Sequence, residues 1–263
     1  MRCTMQWFSV SLYQQTLSVR GWKAARQPVV LTVTPSTNDV ARHHMAQGAC
    51  MGTVVVAREQ KAGRGRMERS WASSPGGLWF SLILRPQRSP EQVVLLPLTV
   101  AVAMASALTD ATEGLPIGLK WPNDLMVKDK KIGGILMERD GHGLVVGVGV
   151  NVNQRSFASL LDQKAISVFQ LTGTEVSLER LLAGSMNAIY RYCREWEDDG
   201  GQATLEAWRH HSVTLGREVR VSLPGRQVKG KAIDVDDGGS LLVDTAEGTV
   251  RITAGDVTLL RQA

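Results

Sequence analysis

Apolar residues in the first two thirds of the chain fall into short β-branched runs, divided by polar stretches that carry glycine and proline. Pro28 to Val33, Thr53 to Glu59 and Leu78 to Leu84 read as strands. Between the first two, Ser36 or Thr37 is suited to cap a helix from Asn38 to Gln47, which Gly48 ends. Ser89-Pro90-Glu91 starts another helix, with proline at the first position and an acid in the first turn. The uncharged stretch from Gln92 to Thr109 then predicts a buried helix. Its eighteen residues graze the length of a membrane span, but Pro97, Thr99 and Ser106 interrupt it and polar sequence flanks it. Ile117 to Trp121 and Leu144 to Val152 read as further strands, and a turn at Asp129-Lys130 leads into a third, beginning at Lys131. Ser177 caps a long amphipathic helix with Leu178, Leu181, Leu182, Met186, Ile189 and Tyr190 on one stripe. Gly200-Gly201 ends it, and a shorter helix runs to His211.

From Leu215 the texture changes to five short alternating strands: Arg217–Leu223, Gln227–Val235, Ser240–Thr245, Thr249–Thr253 and Asp256–Leu260. Turns at Pro224-Gly225, Asp237-Gly238-Gly239 and Glu247-Gly248 divide them, which suggests a small appended barrel. The expected division is an N-terminal extension over 1–27, a catalytic domain over 28–212 and a β-domain over 213–263. Residues 1–27 show no period and are expected to be poorly ordered. They are too few for a winged helix-turn-helix domain, and polar residues from Gln6 to Gln15 break any signal-peptide core.

The net charge of +5 and isoelectric point near 9.3 suit anionic partners but hint only weakly at nucleic acid. Three scattered cysteines, Cys3, Cys50 and Cys193, form neither a disulfide framework nor a metal pattern, which points to a reducing cytoplasm. The adjacent histidine pairs His43-His44 and His210-His211 make no ligand set either.

The stretch that carries the chemistry is Gly63-Arg64-Gly65-Arg66-Met67-Glu68-Arg69-Ser70-Trp71, lying between two strand-like runs. Guanidinium forks match carboxylate and phosphate oxygens, glycines let a ligand approach the main chain, and Trp71 offers a flat face for stacking. Gln60 stands at the end of the preceding strand. Lys120-Trp121-Pro122-Asn123-Asp124 forms a turn that puts Asp124 near an anion site, as a carboxylate able to help hold Mg²⁺. Glycine pairs in the apolar strands around Gly133-Gly134 and Gly147-x-Gly149 suggest close approach to another group. Lys131 heads the first of these strands. No Walker loop, Rossmann fingerprint or nucleophile elbow occurs. Arginines, one lysine and one aspartate suit anion handling better than acid–base hydrolysis.

Together, Ser36-Thr37-Asn38, Gln60 with Gly63-Arg64-Gly65-Arg66, Arg69 and Trp71, Lys120 to Asp124, Lys131 to Leu136, and Gly147 to Asn151 closely resemble the biotin protein ligases, in that family's order over 29–153. The resemblance implies an α+β catalytic domain on a mixed β-sheet with packed helices, of the class II synthetase-like biotin–lipoate ligase kind. A small C-terminal SH3-like β-barrel follows it. It implies that ATP, with Mg²⁺, converts biotin to biotinyl-5′-AMP, and that biotin then passes to a lysine of a carboxyl carrier domain, typically of acetyl-CoA carboxylase. Ser36, Thr37, Asn38, Gln60, Arg64, Gly65, Arg66 and Lys131 would bind biotin. Arg66, Arg69, Trp71, Lys120, Asn123, Asp124 and Asn151 would bind the nucleotide. Lys131, Arg66 and Asp124 would carry the reaction. Members of that family often dimerise through the sheet, so a homodimer is compatible with the resemblance; no membrane association is expected and, for a chain this short before Pro28, no specific DNA binding. Glu68 departs from the glycine usual in the family, which admits an altered loop closure or an inactive homologue. A lipoate or octanoate ligase and a DNA-binding repressor are the competing functions.

Overall fold

The computed structural model describes residues 7–141, 143–157 and 164–260. In chain order, α1 (Val10–Thr16) precedes β1 (Val29–Thr34), α2 (Thr37–Ala46), β2 (Val54–Gln60) and β3 (Leu78–Leu84). Helices α3 (Pro90–Val93) and α4 (Leu96–Ala111) follow, then four strands: β4 (Gly118–Lys120), β5 (Asp124–Val127), β6 (Lys130–Asp140) and β7 (Gly143–Val150). After α5 (Val168–Thr172), α6 (Leu178–Asp199) and α7 (Gln202–His211) come β8 (Glu218–Leu223), β9 (Arg226–Val235), β10 (Leu241–Thr245), β11 (Gly248–Ile252) and β12 (Asp256–Leu259).

Strands β1 to β7 make one mixed sheet in the order β1-β2-β3-β7-β6-β5-β4, with β1 and β2 parallel and every other pair antiparallel. Successive side chains of a strand point to opposite faces, so the apolar runs serve two cores. Phe80, Leu82, Val146 and Val148 join the main core with α4 and α6, whereas Ile83 and Val145 pack with Ala41, Met45 and Val55. Helix α4 is buried from Leu96 through Leu108 along most of its surface. It is a core helix, and among the described residues no helix is long and apolar enough to cross a membrane.

The last five strands form an antiparallel sheet ordered β11-β10-β9-β8-β12, the small SH3-like unit. Its buried Val219, Val221, Ala232 and Val243 belong to the same apolar cluster as the large sheet's core. The Trp121 indole N–H donates to the Gly239 carbonyl at 2.9 Å, tying the 121–123 turn to this unit.

One expectation is overturned. Residues 7–27 are packed, not loose: Phe8, Tyr13, Leu17, Val19 and Trp22 are all buried. The Tyr13 hydroxyl donates to the Ala25 carbonyl at 2.7 Å, and Trp22 meets Tyr190 of α6 edge-on at 5.1 Å. Such single anchors fill gaps over α6 without producing any period, and each buried large apolar side chain contributes about 1.5–3 kcal/mol.

Candidate active site

The site lies on the α2 face of the large sheet, beyond the end of the small Met45–Ile83 core. Register sets its floor. Ser81 of β3 pairs with Gly147 of β7, which pairs with Leu136 of β6. Two residues along, Trp79 pairs with Gly149 and Gly149 with Gly134. Gly147 and Gly149 are two apart and so face the same way. A Cβ on Gly147 would lie 2.3 Å from Asn38 Oδ1, and one on Gly149 would lie 2.7 Å from Trp71 Nε1. The glycines therefore open a trough into which α2 and the arginine loop lower a side chain each.

The start of α2 supplies one wall. Ser36 precedes the helix in extended conformation, and Ser36, Thr37 and Asn38 are all buried. The Thr37 N–H and hydroxyl both reach Gln60 Oε1, at 2.8 and 3.0 Å, and Gln60 Nε2 donates to Ser73 Oγ at 2.8 Å. Ser81 Oγ lies 2.6 Å from Asn38 Oδ1 and 2.7 Å from the Thr37 hydroxyl, and Asn38 Nδ2 donates to Glu138 at 2.6 Å. These side chains are locked before any ligand arrives, which lowers the entropic cost of binding.

The arginine loop is a closed excursion of β2. Bridges pair Gln60 with Ser73 and Arg64 with Ser70, and the Gly65 N–H donates to the Arg69 carbonyl at 2.7 Å. Gly63 is needed sterically, since its Cβ would sit 2.6 Å from Ser73 Oγ and from the Trp71 carbonyl. Gly65 is not: its Cβ would meet only the Arg69 carbonyl, at 3.5 Å. At the tip, Met67 and Glu68 take left-handed φ values of 54° and 55°. Glu68 thus keeps a backbone course that a glycine would adopt freely, at a cost of about 1–2 kcal/mol.

The three arginines have different surroundings. Arg64 gives both terminal nitrogens to Asp39, at 2.8 and 2.6 Å. The hydrogen bonds from Arg64 hold the Asp39 carboxyl below its ordinary range. Arg69 pairs with Asp256 of β12 at 3.1 Å. Arg66 reaches the Gly255 carbonyl at 3.4 Å and has no ion-pair partner among the described residues. Burial draws its pKa down, opposed by Asp124 and Asp256. A half-buried cation facing a cavity is suited to an incoming anion.

Across the pocket, Lys131 is ion-paired with Asp124 and stands over the Trp71 ring at 4.9 Å. Lys120 lies 4.0 Å from the same carboxylate, and its burial lowers its pKa. The Asn123 side-chain amide donates to the Ile135 carbonyl. No cluster of three metal-binding side chains occurs among the described residues, so a divalent cation here would need nucleotide oxygens beside Asp124, a carboxylate that two ammonium groups share.

All of the residues expected at the site line one cavity of about 270 Å³: Ser36 to Asn38, Gln60, Arg64 to Arg66, Arg69, Trp71, Lys120, Asn123, Asp124, Lys131 and Asn151. Sequence reasoning missed Ser81, Asp39, Glu138, Lys164 and Asp256. Ser81 was visible as the lone hydroxyl in an apolar strand, and Asp39 as the next residue after Ser36-Thr37-Asn38. Glu138, Lys164 and Asp256 carry no local signal.

The chain is similar to known proteins over both of its parts. Residues 30–154 match the Biotin/lipoate A/B protein ligase family, and residues 214–260 match the biotin protein ligase C terminal domain. The biotin–[acetyl-CoA-carboxylase] ligase of Mycobacterium tuberculosis is 35% identical, over 92% of this chain and 91% of that protein. The bifunctional ligase/repressor BirA of Bacillus spizizenii is 34% identical, over 86% of this chain and 72% of its own length. The biotin protein ligase of Aquifex aeolicus, solved in complex with biotin and ATP, superposes with a TM-score of 0.82 at 30% identity, covering 90% of this chain and 99% of that one. Matches to both family models, at 30–154 and 214–260, and a relative 35% identical over nine tenths of each chain show that the chain belongs to the biotin protein ligase family.

Proposed function

We propose that the cavity joins biotin to AMP and then releases biotin to a protein lysine, which makes the chain an ATP-dependent biotin protein ligase. The observation that carries this reading is that the locked α2 wall and the cations Arg66, Lys120 and Lys131 line one small cavity. The hydrogen-bonding wall of Ser36, Thr37, Asn38 and Gln60 suits the polar ureido ring of biotin. The apolar lining from Phe80, Trp121, Ile135 and Val148 suits its apolar chain, and Gly65 leaves space where the loop's main chain meets the ligand. Trp71 has a buried indole N–H with no partner among the described residues, a donor that a bound ligand would satisfy.

In the first step a carboxylate oxygen of biotin attacks the α-phosphorus of ATP. The bond from that phosphorus to the bridging oxygen breaks, and pyrophosphate leaves. Two anions must meet, so their repulsion is the main obstacle. Arg66 and Lys131 offset it from the two sides of the cavity, while Asp124 holds Lys131 and Lys120 in place. Mg²⁺, which this family's use of ATP implies, would help neutralise the triphosphate, and Asp124 is the carboxylate placed to help hold it. In the second step the neutral amine of a carrier lysine attacks the biotinyl carbonyl carbon, AMP leaves, and the amine's proton passes to solvent. The acyl-adenylate hydrolyses in open water, so the 63–71 loop protects it. The expected acceptor is the biotin carboxyl carrier domain of acetyl-CoA carboxylase or a related carboxylase.

ATP–pyrophosphate exchange that depends on biotin, followed by labelling of a carrier domain, tests the assignment. Exchange with lipoate or octanoate in place of biotin would refute the choice of substrate, and a mass-resolved adenylate identifies which was activated. Sedimentation tests the homodimer, and DNA retention at physiological salt tests the expected lack of operator binding.

A further inference from the structure

We propose that Asp39 is a positioning residue that makes Arg64 a staple for the arginine loop, not a receptor for ligand charge. This rests on the ligase reading above. Arg64 comes from the loop and Asp39 from the first turn of α2, one residue beyond the three that line the wall. The pair is bidentate, at 2.8 and 2.6 Å, a geometry that fixes direction as well as distance.

Its neighbours strengthen the assignment. Arg42 donates to Asp39 at 3.1 Å and to Glu138 at 2.9 Å, and reaches Asp140 at 3.9 Å. Arg64 also lies 3.9 Å from Glu138. Two guanidinium groups therefore face three carboxylates, Asp39, Glu138 and Asp140. A ligand carboxylate or phosphate placed there would meet a surplus of negative charge. The opposite holds at Arg66, which has no ion-pair partner among the described residues, and at Lys120 and Lys131, which share one aspartate. The loop's main chain is fastened at the same end: the Lys61 and Ala62 N–H groups donate to the carbonyls of Thr34 and Pro35, each at 2.9 Å. The loop thus has a fixed base at 61–65, set against the biotin wall, and a tip at 66–69 that rests on Gly255 and Asp256.

The test compares Asp39→Asn, Arg64→Gln and the double variant, each checked for unchanged thermal unfolding. Biotin-dependent pyrophosphate exchange gives KM for biotin and ATP separately. Chymotrypsin, which cleaves near Met67 and Trp71, reports loop exposure without ligand. Each single variant is expected to raise KM for biotin about five-fold, the size of a partly exposed charge network, with kcat and KM for ATP near wild type. The double variant is expected to be no worse than either single one, chymotrypsin to cut all three faster, and Asp39→Glu to recover part of the loss. The proposal is overturned if Asp39→Asn leaves or lowers KM for biotin while Arg64→Gln raises it, since a freed guanidinium would then be serving the ligand. Additive losses would overturn it as well. Should the wild-type protein show no biotin-dependent exchange, the ligase reading fails, and faster or unchanged chymotryptic cleavage of Asp39→Asn still decides the staple.

Discussion

Replacing Gly147 by alanine probes the trough most directly. The added Cβ would stand 2.3 Å from Asn38 Oδ1, 3.0 Å from its Cγ and 3.1 Å from its Nδ2. Neither side can retreat easily. β7 is a central strand, with Gly147 paired to Ser81 on one side and Leu136 on the other. Asn38 is held at both ends of its amide, by Ser81 at 2.6 Å and Glu138 at 2.6 Å. Overpacking of this kind costs about 1–3 kcal/mol. Swinging Asn38 aside loses at least one hydrogen bond, about another 1 kcal/mol. The sum is about 2–4 kcal/mol, which for a chain of this length lowers Tm by roughly 5–10 °C. The affinity for biotin falls too, because Asn38 leaves the wall. Differential scanning calorimetry and KM for biotin measure the two effects. The control is Asn38→Ala, which removes the clashing atoms, so Gly147→Ala added to it should change neither Tm nor KM further. A Gly147→Ala protein with wild-type Tm and KM would refute the reasoning, and so would a double variant whose losses simply add.

Gly65→Ala should do the reverse of a structural lesion. Its Cβ meets no atom closer than 3.5 Å, so Tm should hold within about 1 °C while KM for biotin rises, the side chain intruding where ligand approaches. Lys131→Gln should lower the rate of adenylate formation by about a hundredfold or more, with biotin binding measured by calorimetry much less affected; equal losses in both would remove Lys131 from the reaction step. Asp39 and Asp236 both titrate below the ordinary 3.8. Arg64 is the main cause for Asp39; at Asp236 burial pushes upward and is outweighed by Arg251 and the N–H groups of Ser240 and Gly238. A depressed carboxyl stabilises the fold while ionised, so this contribution is intact above pH 3.8 and is lost as pH falls below it through the lowered values. Asp236→Asn should therefore flatten the acid limb of a stability curve below pH 3.8, leave its slope above that unchanged, and show no effect at all if the pairing is absent in solution.

Much of the architecture was legible because burial on two faces writes itself into the chain as period. Strands β1 to β3 and β7, the long helix α6 and all five C-terminal strands lie within about two residues of where alternation and turn residues put them, the usual scatter of element ends. What failed was anything held by tertiary contact alone. Helix α1 has seven residues and α5 has five, too few to show a stripe. Tyr13 and Trp22 are buried one at a time against α6 and the 25–26 turn, so neighbouring residues share no pattern. The segment after Asn153 enters the site at Phe157, Lys164 and Ala165 with no period to announce it.

The site divides in the same way, and the division explains why its charges were harder to read than its residues. Glycine and arginine types are forced by what they must do locally, so Gly63, Gly147 and the arginines stood out. Whether an arginine is free or spent depends on which carboxylate the fold brings to it. Arg64 and Arg66 are two positions apart in one loop, yet Asp39 of α2 neutralises the first, while the second has no ion-pair partner among the described residues and donates to the Gly255 carbonyl just before β12. The partner of Arg69, Asp256, lies near the other end of the chain. A count of positive residues would treat the three alike. Coulomb attraction within about 4 Å makes them unlike, since a paired guanidinium has little field left for a second anion. On the proposed reading the burden falls on Arg66, and on Lys131 and Lys120 together, two ammonium groups that share one aspartate and so keep a net positive charge, while the loop's first arginine is left to hold the wall against which the vitamin would lie.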